Sequence, residues 1–346
     1  MRRSHRVLLV LCLIQLGATG AVHVLQAPPD WSSPELAQTF LSTAVKEHGQ
    51  LSVQGTQLVD SHGVPVTLRG ISLHGLQWFP TVRGWTIPAM VRMFGVELVR
   101  LPVVVESHNP DDRRDYWGGY AVDPDTGLRL ARAAIEDALD AGVYAIVDWH
   151  LQGDPALYAD QAADFFETIS QEYGEHPNII YEIANEPTGV DWPEIKQYAE
   201  QIIPIIRSND PDGVILVGTP GHSAGAHYAA LEPLAHEGVM YVVHFYAGTH
   251  DLVEFTENID EALSAGAPVF ISEWGATDTD VTFARFDIAE QWVEAMESRQ
   301  LSWANWSLSN KAEPASVLVP RAPMSGPWEA DELTESGRWL QPLLVP

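Results

Sequence analysis

Short runs of apolar residues recur along the chain and predict buried strands. Most of these runs are almost continuously apolar and rich in β-branched residues, a pattern typical of strands that are covered on both faces. Turn-forming or polar residues separate each run from the next. We count eight such runs, at residues 68–75, 96–105, 144–150, 179–185, 214–219, 239–246, 268–274 and 302–308.

Stretches with helical periodicity lie between the apolar runs. Leu128, Ala131, Ile135 and Leu139 recur at the spacing of one helix face, and Gly142 follows them as a stop signal. Similar stripes occur in "IKQYAEQIIPIIRS" and "FDIAEQWVEAMESR". Strand and helix alternating eight times predict the α/β class, specifically a (β/α)8 TIM barrel that forms a single domain.

An open, doubly wound parallel sheet is the competing arrangement. Such a sheet usually carries a glycine-rich, phosphate-binding turn after its first strand. The sequence contains neither a GxGxxG motif nor a P-loop. We therefore favour the closed barrel.

The N-terminus has the layout of a secretion signal. "MRRSHRVLLVLCLIQLGATGA" begins with basic residues, continues with an apolar stretch and ends in small residues, so we predict a signal peptide at 1–21. The alternative is a membrane anchor, but the apolar stretch is too short to span a bilayer comfortably. A Pro- and Ser-rich lead-in then covers 22–43, and the barrel domain covers 44–342. We expect a secreted, extracellular protein that has no membrane contact after cleavage.

Charge and cysteine usage exclude several classes of function. The formal net charge is −28, so the surface repels nucleic acid and anionic membranes and suits a neutral or cationic substrate. Cys12 is the only cysteine, and it lies inside the predicted signal. The mature chain therefore has no disulfides and no thiol chemistry.

Polar and aromatic residues end most of the predicted strands. A TIM barrel carries its chemistry at the carboxyl ends of its strands, so these residues should gather at one mouth. In chain order the strand-end residues are His74, Arg100, His150, Asn185, Glu186, His244, Tyr246, Glu273 and Trp306.

Two glutamates in this set suggest the chemistry. Glu186 ends the fourth strand and Glu273 the seventh, so in a closed barrel they face one another. Two carboxylates about 5–5.5 Å apart can cleave a glycosidic bond by double displacement. We expect an apolar wall to raise the pKa of Glu186 and keep it protonated, and Arg100 to keep Glu273 ionised. Glu182 lies deeper on the fourth strand, and we interpret it as a buried structural acid.

Several motifs resemble one known family. "YEIANEP", "VHFYAGTH", "ISEWG" and "SWANWSLSNK", in this order and at barrel spacing, are similar to glycoside hydrolase family 5. The likeness is greatest to the bacterial endo-β-1,4-glucanases (cellulases) of its subfamily 2. It extends from about Val45 to Leu340.

The resemblance implies roles for individual residues. Glu186 matches the acid/base of the family and Glu273 its nucleophile. Asn185 would bind the 2-hydroxyl at the cleavage point, while Arg100 and Tyr246 would orient the nucleophile. Further residues implied by the family are His150, His244 and Trp306 around the same sugar, and His74, Trp78, Lys311 and Glu313 around the next one.

The sequence departs from the subfamily pattern at two positions that concern sugar contacts. Val104 stands where the subfamily has a tyrosine that lines the cleavage subsite. His222 stands where relatives have a tryptophan on the leaving-group side, and we interpret it as a substrate-binding residue. Both departures affect the predicted substrate preference more than the reaction type.

Together these patterns predict a retaining endo-β-1,4-glucanase that hydrolyses internal bonds of cellulose or a related β-glucan. The same chemistry on mannan, xylan or mixed-linkage glucan is an alternative, and a barrel that binds glycan without cleaving it is a second. The sequence contains no HExxH motif and no cysteine cluster, so we expect no metal and no cofactor. We expect a monomer whose partner is a β-glucan polysaccharide and not a nucleic acid.

Overall fold

The computed structural model describes residues 41–79, 84–106 and 118–345. The predicted signal at 1–21 and nearly all of the lead-in at 22–43 lie outside the described residues. The chain divides into two units, Met1–Gln38 and Thr39–Pro346. The architecture that follows is that of the second unit.

Within the described residues, eight parallel strands form a closed barrel. The apolar runs account for all eight, so the predicted (β/α)8 fold is confirmed. The barrel strands are β1 (Arg69–Leu73), β2 (Leu98–Val104), β3 (Tyr144–His150), β4 (Ile179–Glu182), β5 (Val214–Val217), β6 (Val239–Tyr246), β7 (Val269–Gly275) and β8 (Trp303–Leu308).

Strands that are neighbours in the barrel are also neighbours in the chain, and β8 pairs with β1 to close it. A helix follows each barrel strand. None of the helices in the described ranges is both long and apolar enough to cross a membrane. The helices after β1 to β8 are, in order, Thr86–Phe94, Pro124–Ala141, Ala159–Tyr173, Trp192–Asn209, Ala226–Leu231, Leu252–Ser264, Phe286–Ser298 and Glu335–Leu344, and a short helix, Ala44–His48, precedes the barrel.

The apolar core has two layers, as a closed barrel requires. The inner layer fills the barrel with side chains such as Ile146 and Phe270, both fully buried. An antiparallel hairpin of Ser52–Gln54 and Gln57–Val59 adds Leu58 to this layer. The outer layer packs the opposite strand faces against the helices. Both faces of each strand are therefore covered, which explains the continuous apolar runs.

The helix Pro124–Ala141 shows how local signals set its ends. Its N-cap Asp123 accepts a hydrogen bond from the backbone N–H of Thr126, and proline occupies the first turn. Gly142 ends the helix with φ of 72°, a left-handed conformation that glycine adopts without steric cost. Ile135, from the predicted stripe, is fully buried against the barrel. The predicted helix and its stop signal are confirmed.

The fourth apolar run leaves the barrel earlier than predicted. Its strand covers only Ile179–Glu182. The backbone N–H of Asn185 donates to the carbonyl oxygen of Trp149, and that of Glu186 to Leu151, at 3.2 and 3.1 Å. The chain thus bends towards the end of β3, and this bend carries Glu186 to the mouth of the barrel.

Candidate active site

The carboxyl ends of the barrel strands surround a cavity of about 560 Å³. The structure brings together nearly all of the site residues that the sequence predicts. Arg100 is the exception, because it lies inside β2 (Leu98–Val104) and not at the end of that strand, as predicted, and is fully buried. The predicted residues that line the cavity are His74, Trp78, His150, Asn185, Glu186, His222, His244, Tyr246, Glu273, Trp306, Lys311 and Glu313.

Two carboxylates face each other at the centre of this cavity. One oxygen of Glu186, one oxygen of Glu273 and one ring nitrogen of His244 all lie within 4.8 Å of one another. Both glutamates are buried at 8% and 5% exposure, yet both reach the cavity. The site can therefore present two acids to a single bond of a ligand.

Two donors hold the Glu273 carboxylate. Arg100 donates from Nη1 to Oε2 at 2.8 Å, and the Tyr246 hydroxyl donates to Oε1 at 2.6 Å. Each oxygen therefore has a fixed donor, and one of the two donors is charged. The two hydrogen bonds therefore fix the orientation of the carboxylate.

Arg100 also binds the groups around it. Its Nε donates to Glu182 at 2.7 Å, and its Nη2 donates to the side-chain oxygen of Asn185 at 2.6 Å. Nη2 lies 3.0 Å from Asp148 as well. Burial alone lowers the pKa of Arg100, but Asp148, Glu182 and Glu273 outweigh it and raise that pKa above its ordinary value. The guanidinium is therefore a permanent cation that fixes four side chains.

The surroundings of Glu186 differ from those of Glu273. Gln152 donates from Nε2 to Oε2 at 3.0 Å, and His222 Nδ1 lies 3.3 Å from the same oxygen. His244 Nδ1 lies 3.1 Å from Oε1. Burial raises the pKa of Glu186, as expected from the sequence, but the hydrogen bonds to His222 and His244 outweigh burial and hold that pKa below its usual range. The expectation of a protonated Glu186 is therefore wrong for the free site.

His244 connects Glu186 to the buried network. Its Nε2 lies 2.9 Å from the hydroxyl of Ser272, which donates to Glu182 at 2.6 Å. Burial lowers the pKa of His244, but its bonds to Glu182 and Glu186 outweigh burial and raise that pKa to about 9. His244 is therefore a cation at neutral pH.

An aromatic cluster occupies one end of the cavity. The rings of His150 and Trp306 are parallel within 4° at a centroid distance of 5.7 Å, and His74 packs 4.9 Å from Trp306. Lys311 Nζ lies 3.2 Å from Nε2 of His74 and also forms an ion pair with Glu313 at 2.7 Å. Flat apolar faces next to polar groups suit a sugar ring, which has both kinds of surface.

Glu186, His244 and Glu273 are also close enough together to be considered as metal ligands. Two positive groups oppose this interpretation. The Arg100 guanidinium already binds Glu273, and His244 carries a proton at neutral pH. A cation placed among these three residues would meet two positive charges at short range, so we do not assign a metal site here.

Several residues that complete the site were not predicted from the sequence. Gln152 contacts Glu186, and Ser272 and Asp148 belong to the buried network. His250 accepts a hydrogen bond from the backbone N–H of Tyr246 at 2.8 Å. Ser272 directly precedes Glu273, and Asp148 lies two residues before His150. Polar residues inside an apolar strand were the available signal.

Comparison with known proteins agrees with this geometry. A family model described as cellulase, glycosyl hydrolase family 5, matches residues 59–312. The chain belongs to glycosyl hydrolase family 5. The solved catalytic domain of the Thermobifida fusca endoglucanase Cel5A resembles this family 5 barrel with a TM-score of 0.79 and 35% identity, over 87% of this chain and 99% of that one.

Bacterial relatives of this family 5 chain bear the name endoglucanase. Endoglucanase A of Evansella cellulosilytica is 42% identical over 286 residues, which are 81% of this chain and 56% of that protein. An endoglucanase of Clostridium saccharobutylicum is 38% identical over 299 residues, or 85% of this chain and 64% of that protein. The chain thus spans less than two thirds of the length of these curated relatives.

Proposed function

We propose that this family 5 chain is a secreted, retaining endo-β-1,4-glucanase that hydrolyses internal bonds of cellulose or a related β-glucan. The proposal rests on one oxygen of Glu186 and one oxygen of Glu273, which lie within 4.8 Å of each other. Inverting glycosidases separate their carboxyl groups by about 6.5–9.5 Å to leave room for a water molecule. The shorter spacing supports direct attack by one of the two carboxylates.

In the first step Glu273 attacks the anomeric carbon. A bond forms between its carboxylate oxygen and that carbon while the bond to the departing oxygen breaks. Glu186 delivers a proton to the departing oxygen. The assignment of Glu273 as nucleophile is supported by its two donors, Arg100 and Tyr246, which bind one carboxylate oxygen each and fix the direction of the group.

In the second step a water molecule releases the bound sugar. Glu186, now ionised, takes a proton from the water, which attacks the anomeric carbon and breaks its bond to Glu273. Two inversions at the same carbon return the original configuration. The β anomer would therefore be the first product seen by proton NMR, and an α product would contradict the retaining mechanism.

The groups around Asn185 support a sugar at the cleavage point. Its side-chain oxygen accepts from Arg100, and its side-chain nitrogen donates to the carbonyl oxygen of Leu151 at 3.1 Å. An amide nitrogen has two hydrogens, so one remains to bind a sugar hydroxyl. Trp306 and His74 would contact the sugar faces beside it.

The substrate class is supported by relatives. A solved variant of the Thermobifida fusca domain, 34% identical to this chain, is in complex with cellotetraose. Initial rates on carboxymethylcellulose, barley β-glucan, mannan and xylan test the assignment, and we expect the first two to be the better substrates. Mannan or xylan as best substrate would refute the β-glucan assignment and leave the reaction type in place.

Replacement of the nucleophile separates an enzyme from a barrel that only binds glycan. Glu273→Gln should abolish turnover and retain binding of cellotetraose in calorimetry, because the shape of the cleft is kept. Glu254→Gln, at an exposed glutamate of the helix Leu252–Ser264, is the matched control and should remain active. Full activity of Glu273→Gln would refute the assignment.

Export and oligomeric state form the remaining part of the proposal. The basic start and the apolar stretch of residues 1–21 support a cleaved signal. The N-terminal sequence of the exported protein should begin close to Gly20 or Ala21. We propose a monomer, which light scattering on the purified protein would test.

A further inference from the structure

His222 contacts one of the two central acids directly. Its Nδ1 lies 3.3 Å from Oε2 of Glu186, 63% of its side chain is exposed, and the residue lines the cavity. The other imidazole on this acid, His244, is almost fully buried. Glu186 thus lies between an interior imidazole and an exposed one, and only the exposed one can exchange protons readily with solvent.

The backbone around His222 is held in an unusual conformation. Gly221, His222 and Ser223 have φ of 71°, 59° and 56°, all in the left-handed region. Residues other than glycine seldom adopt this region, and doing so costs about 1–3 kcal/mol each. Ser223 Oγ donates to the carbonyl oxygen of Asn185 at 2.5 Å, and the N–H of Thr219 donates to Ser223 Oγ at 3.2 Å. The turn is therefore fastened to the residue before Glu186.

The proposed reaction needs a proton that the free site does not keep on Glu186. Burial raises the pKa of Glu186, but the hydrogen bonds to His222 and His244 lower it further than burial raises it. His244 is a poor source for this proton, because Glu182, Ser272 and Glu186 stabilise its charged form in the interior. The hydrogen bond to Glu186 raises the pKa of His222 against the opposing effects of burial and of His244.

We propose that His222 is a positioning residue that holds the acid proton for Glu186 in the free site. The inference rests on the proposed glycosidase function. In the free site Nδ1 of His222 carries the proton and Glu186 is ionised. When a sugar covers the exposed imidazole, the loss of water disfavours the charged pair, and the proton moves from Nδ1 to Oε2.

The proton then leaves Glu186 as the glycosidic bond breaks. The departing oxygen keeps the electron pair of its bond to the anomeric carbon and takes the proton from Oε2, while Glu273 forms the new bond to that carbon. In the second step Glu186 removes a proton from water and passes it back to His222. His222 ends the cycle protonated, as it began, and no further reactant is required.

Other charged and titratable groups face His222 and Glu186 and also influence the titration of these two residues. None of them lies on the turn that carries His222, and each would remain in place in a His222 variant. They are His150 on β3, His244 and Tyr246 on β6, His250 after β6, and Glu273 on β7.

The activity test compares two leaving groups across pH. Cellotetraose needs an acid to protonate its departing sugar, whereas 2,4-dinitrophenyl β-cellobioside has a leaving group that departs without one. His222→Gln should lower kcat/KM for cellotetraose by about 10- to 100-fold near neutral pH. The alkaline limb of the pH profile of this variant should move to lower pH, because Glu186 alone must then hold the proton. The value of kcat/KM for the aryl substrate should change less than about threefold, because its first step needs no acid.

Two further variants separate this role from a structural one. His222→Asn keeps a residue that tolerates left-handed backbone, so it should fold and show the same loss. His236→Gln is the matched control, since His236 pairs with Glu200 at 2.7 Å outside the cavity residues and its loss should leave the profile unchanged. An unmoved alkaline limb in both His222 variants, or equal losses on both substrates, would overturn the proposal.

A titration without substrate distinguishes failure of this inference from failure of the proposed function. NMR of the imidazole carbons should give His222 a pKa above 6.5 in the wild type, falling in Glu186→Gln. A His222 pKa that Glu186→Gln does not change would overturn the inference even in an active enzyme. A wild type that cleaves no β-glucan would refute the proposed function, and this titration would still decide whether Glu186 holds the proton on His222.

Discussion

Replacement of Glu182 by glutamine tests the buried ion network most directly. Glu182 is fully buried, and its two oxygens accept from Nε and Nη2 of Arg100 at 2.7 and 3.3 Å. Ser272 donates to one of these oxygens. Glu182→Gln keeps the shape of the side chain and removes its charge, so Arg100 remains buried with one fewer anionic partner.

The expected loss of stability is about 3–5 kcal/mol, the typical cost of removing one partner of a buried pair. The lowered pKa of the carboxyl corresponds to a similar figure. Burial raises the pKa of Glu182, but Arg100 and His244 outweigh burial and lower it from 4.5 to about 2. Because the folded pKa is the lower one, this contribution of about 3 kcal/mol is complete above pH 4.5 and disappears as the pH falls towards 2.

Urea denaturation at several pH values measures this loss. The matched control is Glu172→Gln. Glu172 accepts hydrogen bonds from Nε and Nη2 of Arg132 at the surface, where both side chains are more than one third exposed. A surface pair contributes about 0–1 kcal/mol and weakens with salt. We expect the Glu182→Gln deficit to be constant from pH 7 to pH 5 and to shrink below pH 4.5.

Two results would refute this reasoning. A Glu182→Gln variant no less stable than Glu172→Gln would mean that the buried charge contributes nothing net. A deficit that stays the same from pH 7 to pH 3.5 would mean that the lost energy comes from packing and not from the ionised carboxylate. Unequal denaturant slopes would have to be excluded first, since they indicate a changed unfolded state.

Two other substitutions test the cavity itself. Tyr246→Phe removes the 2.6 Å hydrogen bond to Glu273, and we expect kcat on carboxymethylcellulose to fall about 10- to 100-fold with little change in KM, since a bond to a charged group is worth about 1.5–3 kcal/mol. Trp306→Ala removes the ring that stacks on His150, and calorimetry with cellotetraose should show binding weakened about tenfold. Unchanged kcat in the first variant, or unchanged affinity in the second, would contradict these roles.

Periodicity in the sequence predicted the barrel because burial on both faces leaves a simple trace. Each strand is apolar throughout, and each helix presents one apolar face, as Ile135 and Gly142 illustrate. Strand ends also predicted which side chains would gather at the mouth. The bend after Glu182 was not predictable in this way, because Ile183 and Ala184 continue the apolar pattern although they lie outside the strand.

The protonation states in the site were less predictable than its members. An apolar wall does raise the pKa of Glu186, but the histidines that reverse the effect come from β6 and from the turn after β5. Which imidazole reaches which oxygen depends on loop geometry, and the periodicity of the sequence does not indicate that geometry. His222 in particular adopts a left-handed backbone that its sequence neighbours do not indicate.

A single buried carboxylate connects the two acids of the site. Glu182 binds Arg100, which holds Glu273, and it also accepts from Ser272, whose hydroxyl contacts the His244 that faces Glu186. The cation below Glu273 and the cation beside Glu186 are therefore stabilised by the same buried charge. Residues within one such network act together and their energies do not add. The acid that the sequence suggested to be merely structural therefore influences the electrostatics of both glutamates.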